Sequence, residues 1–298
     1  MPKHRTLFFS IILAFILTIT RMSTELQQIG KTGGTFVEKG RTNHNNETLL
    51  ATAGGSEASP ETSILILSSL IPTHPSIKMI NETFNSLSML SGISPRTPIF
   101  IVVDGLPMEK LNEKSIHKLH EYVTNLRRRF QNEPRVTILN NYEHLHVSNS
   151  IKLALEFIDT EYIYVLQHDL KFVKSINHKA LIESMRQQPE EILIVRFLYD
   201  KRNRSKYVTE KCRKIVYTNG LSLERGMWSD QNHLTTKRYY ERLLLDIGRK
   251  GRFPEAPMMK KGAQAQPPVD CTYLFPYVYN ATQGPFIAHL DGQHITSY

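Results

Sequence analysis

Along residues 61–298 the apolar positions follow two alternating rhythms. Ser63-Ile-Leu-Ile-Leu-Ser68, Pro98-Ile-Phe-Ile-Val-Val-Asp104 and Tyr162-Ile-Tyr-Val-Leu166 are near-continuous apolar runs, the pattern of strands buried on both faces. Arg135 to Leu139 and Glu191 to Phe197 read as further strands. Between them, Ile77, Ile80, Phe84, Leu87 and Leu90, then Ile116, Leu119, Val123, Leu126 and Phe130, recur at helical spacing. Ser150 to Ile158 forms a short, largely apolar helix. Strand and helix take turns, which predicts an α/β fold: a Rossmann-like, mostly parallel sheet flanked by helices. The second half is less regular. Lys214 to Tyr217 is expected as a strand, and Asp230 to Ile247 as a helix with Leu234, Tyr240, Leu244 and Ile247 on one side. Arg249 to Pro268 is rich in Gly, Pro and Lys and is expected as a loop that could close over a ligand.

The amino-terminal end has a different rhythm. Leu7 to Thr20 is uncharged and apolar behind Lys3 and Arg5, which fits a secretory signal or a short membrane anchor. Its length points to a signal, because a spanning helix needs about 20 apolar residues. The lack of an Ala-x-Ala-like site and the presence of Arg21 point to an uncleaved anchor. The expected organisation is a cytoplasmic tail at 1–6, a signal-anchor helix at 7–21, a flexible stem at 22–60 and a lumenal domain at 61–298. The stem is Gly-, Thr-, Ser-, Asn- and Glu-rich and has too few apolar residues to offset its ordering entropy. Sequons at Asn46, Asn81, Asn203 and Asn280 agree with a single-pass type II protein of the Golgi or endoplasmic reticulum membrane. Asn81 falls inside an expected helix.

The two cysteines, Cys212 and Cys271, are free to pair in that compartment or to stand as two buried thiols. The net charge of +9 raises the question of nucleic acid. A lumenal domain meets none, so solvated faces, and next an acidic lipid or a phosphate-bearing ligand, account for the charge.

Two of the strands end on acids. Asp104 follows one, and Gln167-His168-Asp169 follows another. Ligands bind at the carboxyl edge of open α/β sheets. Ile66 to His74, Ile101-Val-Val-Asp-Gly105, Ser148 to Glu156 and Tyr162 to Asp169, in that order and spacing, resemble a GT-A glycosyltransferase, most like the family-2 type. The resemblance covers about Ser63 to His294. It implies a nucleotide-sugar donor and a glycan or glycoprotein acceptor. It further implies that Pro72, Thr73 and His74 line the nucleoside pocket and that Asp104 bonds the base or ribose. Without the resemblance, Asp104-Gly105 reads as a turn.

Gln167-His168-Asp169 stands where that family has an Asp-x-Asp triplet, with an amide in place of the first carboxylate. Asp169 is the expected ligand of Mn²⁺ or Mg²⁺. Gln167 is expected to bond the ribose or a water, and His168 points into the sheet or toward the nucleotide. A late histidine, His289 or His294, could complete the metal site; surface histidines on a tail are the other reading. Ser229-Asp230 resembles the acidic pair that carries the base of inverting members, so Asp230 is the expected catalytic base, or else a helix cap. Glu224 and Glu255 are the alternative bases. Trp228 could stack on a sugar or pack in the core, and Lys260 and Lys261 could face the leaving diphosphate. Inversion goes with such a base, and retention stays open. The rivals are an inactive glycan- or protein-binding relative and a nucleotidyltransferase. No Gly-x-Gly-x-x-Gly follows any strand, which argues against a dinucleotide-dependent oxidoreductase.

Overall fold

The computed structural model describes residues 36–37, 60–71, 74–199, 208–247, 254–264 and 268–290. Two compact units divide between Phe36 and Val37; the second holds the sheet and everything discussed below. The apolar segment at 7–21 and most of the stem lie outside the described residues. Among those described, no helix is long and apolar enough to cross a membrane.

Strands β1 (Thr62–Ser68), β2 (Ile99–Val103), β3 (Val136–Asn140) and β4 (Tyr162–Gln167) pair in parallel in the order β3-β2-β1-β4. The sheet continues from β4 through β9 (His233–Thr236), β6 (Ile194–Arg196), β10 (Tyr277–Tyr279), β8 (Leu221–Arg225) and β7 (Ile215–Thr218). Of these nine strands, β9 and β8 run against the direction of the others. A small separate sheet pairs β5 (Leu170–Phe172) with β11 (Ile287–His289).

Alternation along β1 shows why its run is apolar throughout. Ile64 and Ile66 enter one core with Tyr122, Leu126 and Phe130 of helix α2 (Glu113–Phe130) and with Ile80 and Phe84 of α1 (Lys78–Asn85). Leu65 and Leu67 enter the other, against Ile151, Ala154 and Leu155 of α3 (His146–Leu155) and Tyr240 and Leu243 of α5 (Lys237–Ile247). Successive side chains of a strand face opposite ways, so helices cover both faces, with α4 (His178–Gln187) on the first.

Two expectations about the second half need correction. The helix expected from Asp230 starts only at Lys237, because His233–Thr236 form β9, buried at all four positions between β4 and β6. The stretch expected as a loop from Arg249 holds helix α6 (Glu255–Ala263). Pro257 sits in its first turn, where the missing N–H costs nothing. Gly262 lies against the Phe275 ring, which an added Cβ would approach to 3.3 Å. Cys212 is bonded to Cys271, at a Cα separation of 5.3 Å. Cys271 opens the short helix α7 (Cys271–Leu274).

Candidate active site at the carboxyl edge of the sheet

Strands β1, β2 and β4 all deliver their carboxyl ends to one edge, which places Ser68, Asp104 and Gln167-His168-Asp169 along it. The Asp104 N–H donates to Ser68 O at 2.8 Å, and the His168 N–H donates to Leu67 O at 3.0 Å. Pro72 and Thr73 lie outside the described residues.

His74 is 3% exposed and stacks on Tyr122, with ring centroids 3.8 Å apart and planes inclined by 13°. Its Nδ1 accepts from the Ile71 N–H at 3.3 Å. Burial first, and then the His168 and Lys118 charges, lower its pKa to about 3, so it is neutral. It therefore wedges the loop and offers a nucleoside no open face, a correction to its expected pocket role. His168 turns inward as well. It is buried, its Nδ1–H donates to Leu67 O at 3.2 Å, and its carbonyl accepts from the Thr83 hydroxyl. It does not face a ligand at the edge.

Asp104 is committed more fully than a turn or a ribose contact requires. Its carboxylate accepts from the Leu145 N–H at 2.7 Å and the His146 N–H at 3.2 Å. His144 Nδ1 stands 2.8 Å from Oδ2. These bonds hold the amino end of α3, which has no side-chain cap of its own. Gly105 is required here, because a Cβ at that position would lie 2.5 Å from the Tyr142 and Glu143 backbone.

Asp169 and His289, far apart in sequence, meet through the small sheet. His289 pairs with Leu170 in the β5–β11 register, and the Leu290 N–H donates to Asp169 O at 2.8 Å. His289 Nδ1 then stands 3.6 Å from Asp169 Oδ2, and both side chains are partly exposed. A carboxylate with an imidazole suits Mn²⁺ better than Mg²⁺, which prefers oxygen alone. His294 lies outside the described residues. Among the described residues, no cluster of three or more His, Cys, Asp or Glu side chains could hold a metal. Asp169 and His289 are the two candidate ligand side chains that the described residues bring together here.

The loop 230–232 crosses this edge and is tied to β4. Gln167 Nε2 donates to Asp230 O at 2.8 Å, the Gln167 N–H donates to Asn232 Oδ1 at 2.9 Å, and Asn232 Nδ2 donates to Leu170 O at 2.8 Å. Gln167 is therefore a clamp on this loop, with Oε1 as its remaining polar atom. Asn232, fully buried, is a site residue that the sequence reading missed; a lone Asn carries no sequence signal. Asp230 is half-buried. One of its carboxylate oxygens has no hydrogen-bond partner, and the carboxylate accepts from the Glu255 N–H. Burial, and next the Glu255 carboxylate, push its pKa up to about 8, against the pull of that N–H. Its backbone contact is with the start of α6, so it is no cap of α5.

Trp228 is 1% exposed and its indole N–H donates to the Tyr239 hydroxyl at 2.8 Å. It is a core residue with no ring face for a sugar, a correction to the stacking role. Glu224, the first reserve base, lies on β8, separated from β4 by three strands. Lys261 pairs with Asp246 at 3.3 Å, and Lys260 is exposed on α6. A cavity of about 680 Å³, lined by Glu61, Thr62, His178, Lys179, Glu183 and Arg186 among others, lies at the opposite end of β1, away from these groups.

No protein-family model and no curated protein sequence matches the chain. Several solved structures resemble it. The mannosyltransferase PcManGT from Pyrobaculum calidifontis, in complex with GDP-Man and Mn²⁺, aligns with 62% of this chain at 10% identity and a TM-score of 0.39. S. aureus TarS 1–349, solved also in complex with UDP, aligns with 76% at 9% identity and 0.43. A CMP:2-keto-3-deoxy-manno-octonic acid synthetase complexed with CTP aligns with 66% at 11% identity and 0.38. The chain spans 47% of the mannosyltransferase and 60% of that TarS chain.

Proposed function

We propose that this protein is a GT-A-type glycosyltransferase that moves a sugar from a nucleoside diphosphate to a hydroxyl of a glycan or glycoprotein. The observation that carries the reading is the convergence of Asp169, His289 and the loop bearing Asp230 on one sheet edge, from three distant parts of the chain. Asp169 and His289 would hold a divalent cation, which neutralises the departing diphosphate when bound. Asp230 accepts the proton of the acceptor hydroxyl as the new O–C1 bond forms and the C1–O bond to phosphate breaks. Its partnerless oxygen and half-buried setting suit a base that is not already spent on the fold. Inversion at C1 follows from a direct displacement of this kind.

We place the domain in the secretory pathway, as a type II protein held in the Golgi or endoplasmic reticulum membrane by 7–21. The Cys212–Cys271 bond supports an oxidising compartment. The sequons at Asn81 and Asn280 add nothing to that case. Asn81 Oδ1 is held by Arg129 Nε at 2.9 Å, and Asn280 is 8% exposed with its amide oxygen on the Ser222 N–H. Asn46 and Asn203 lie outside the described residues.

The second reading, a binding relative without activity, draws on Gln167, whose amide clamps the loop and replaces an anionic metal ligand. Turnover decides between the two. The enzyme reading expects nucleotide-sugar consumption by the wild-type chain and a loss of about 10²- to 10⁴-fold in Asp230→Asn. An Asp230→Asn chain as active as wild type overturns the assignment of the base.

A further inference from the structure

We propose that His144, oriented by Asp104, reads the base of the nucleotide, with its Nε2 accepting a hydrogen bond from the ring N–H of uracil or guanine. The inference rests on the donor-site reading above and gives a role to a residue that has none in that reading.

The argument starts from what Asp104 can no longer do. Its carboxylate already receives the Leu145 and His146 N–H groups and His144 Nδ1, so little capacity remains for a base. The constraint passes outward to His144. Its Nδ1 lies 2.8 Å from Asp104 Oδ2 and 3.1 Å from Gly105 O. Both partners are pure acceptors, so Nδ1 carries the hydrogen. In the neutral ring, Nε2 is then an acceptor.

The ring is also fixed in place. His146 packs on it, with centroids 3.9 Å apart and planes at 59°. The backbone of His146 is left-handed, at φ +58°, a cost that a non-glycine residue bears when its surroundings impose it. The approach of 142–143 to Gly105 holds the whole segment against the end of β2. The His144 side chain is 25% exposed. The result is an oriented acceptor at the end of β2, one strand over from the loop that follows β1.

Uracil N3–H and guanine N1–H are donors. The corresponding ring nitrogens of cytosine and adenine are acceptors and would oppose the imidazole lone pair. A site that must bond a particular group discriminates against a ligand lacking it.

The test is calorimetry of the full chain with UDP, GDP, CDP and ADP in the presence of Mn²⁺. Wild type is expected to bind UDP or GDP at least about tenfold more tightly than CDP and ADP. H144N, whose amide N–H can replace Nδ1–H toward Asp104 but which lacks Nε2, should narrow that preference to about threefold or less. Its affinity for CDP and ADP should be unchanged. Thermal melting of H144N alongside shows whether the fold survives. The base can also be altered instead of the protein. N3-methyl-UDP or N1-methyl-GDP should lose at least about tenfold on wild type and little on H144N. A preference for CDP or ADP, equal weakening of all four ligands in H144N, or undiminished binding of the methylated base overturns the assignment. If wild type binds none of the four, the donor-site reading itself fails and this inference fails with it.

Discussion

Asp230 joins a carboxylate oxygen that has no partner to a pKa pushed up to about 8, and the two together fix its pH behaviour. In the role of base proposed for it, Asp230 must be ionised, so kcat/KM should climb with pH and level off above about pH 8. Stability should move the other way. The folded acid binds a proton more tightly than the unfolded acid, whose ordinary pKa is 3.8. Asp230 therefore destabilises the fold progressively from about pH 4 to about pH 8, and by a constant amount above that. Asp230→Asn should melt higher than wild type at pH 8 and at about the same temperature near pH 4; no difference at pH 8 would contradict this. Trp228 makes the opposite kind of prediction. Trp228→Ala should cost about 3–5 kcal/mol in urea unfolding, the price of an emptied core and a lost indole bond to Tyr239.

Among the elements, β1, β2 and β4 announce themselves in the sequence because both of their faces are buried, which leaves no polar alternation to confuse with helix. Their carboxyl ends, and so Asp104 and Asp169, follow from that pattern. The later elements were less legible for physical reasons. The four residues of β9 are read as strand only because β4 and β6 flank them, and Thr235 bonds sideways to Leu193 O. Helix α6 carries Gly and Pro that a local reading takes for breakers, and only the Phe275 ring shows why Gly262 is there. The Asp169–His289 approach depends on a strand pair closed by long-range register, which no local pattern contains. His74 is expected to line the pocket, and His168 to point either into the sheet or toward the nucleotide. Tyr122 and the Leu67 carbonyl draw both inward. The segment after β2 can be probed at Gly105. Gly105→Ala drives a Cβ into backbone 2.5 Å away, so the denaturation midpoint should fall by the equivalent of about 1–3 kcal/mol. An unchanged midpoint would show that 142–143 can move aside.

For the molecule as a whole, the Cys212–Cys271 bond spans 59 residues and fastens the 208–212 turn to α7. Closing a loop of that size contributes about 4 kcal/mol by restricting the unfolded chain. Cys212→Ser should therefore lower the melting temperature markedly, and wild type treated with reductant should match it. The two-faced sheet gathers the candidate chemistry at one edge and leaves the 680 Å³ cavity at the other, so the edge, and not that cavity, is where a donor is expected. The most direct test is calorimetric titration of the wild-type chain and of Asp169→Ala with nucleoside diphosphates, with and without Mn²⁺. Binding that needs Mn²⁺ and disappears in Asp169→Ala is the predicted result. A folded wild-type chain that binds no nucleoside diphosphate under either condition would contradict the account.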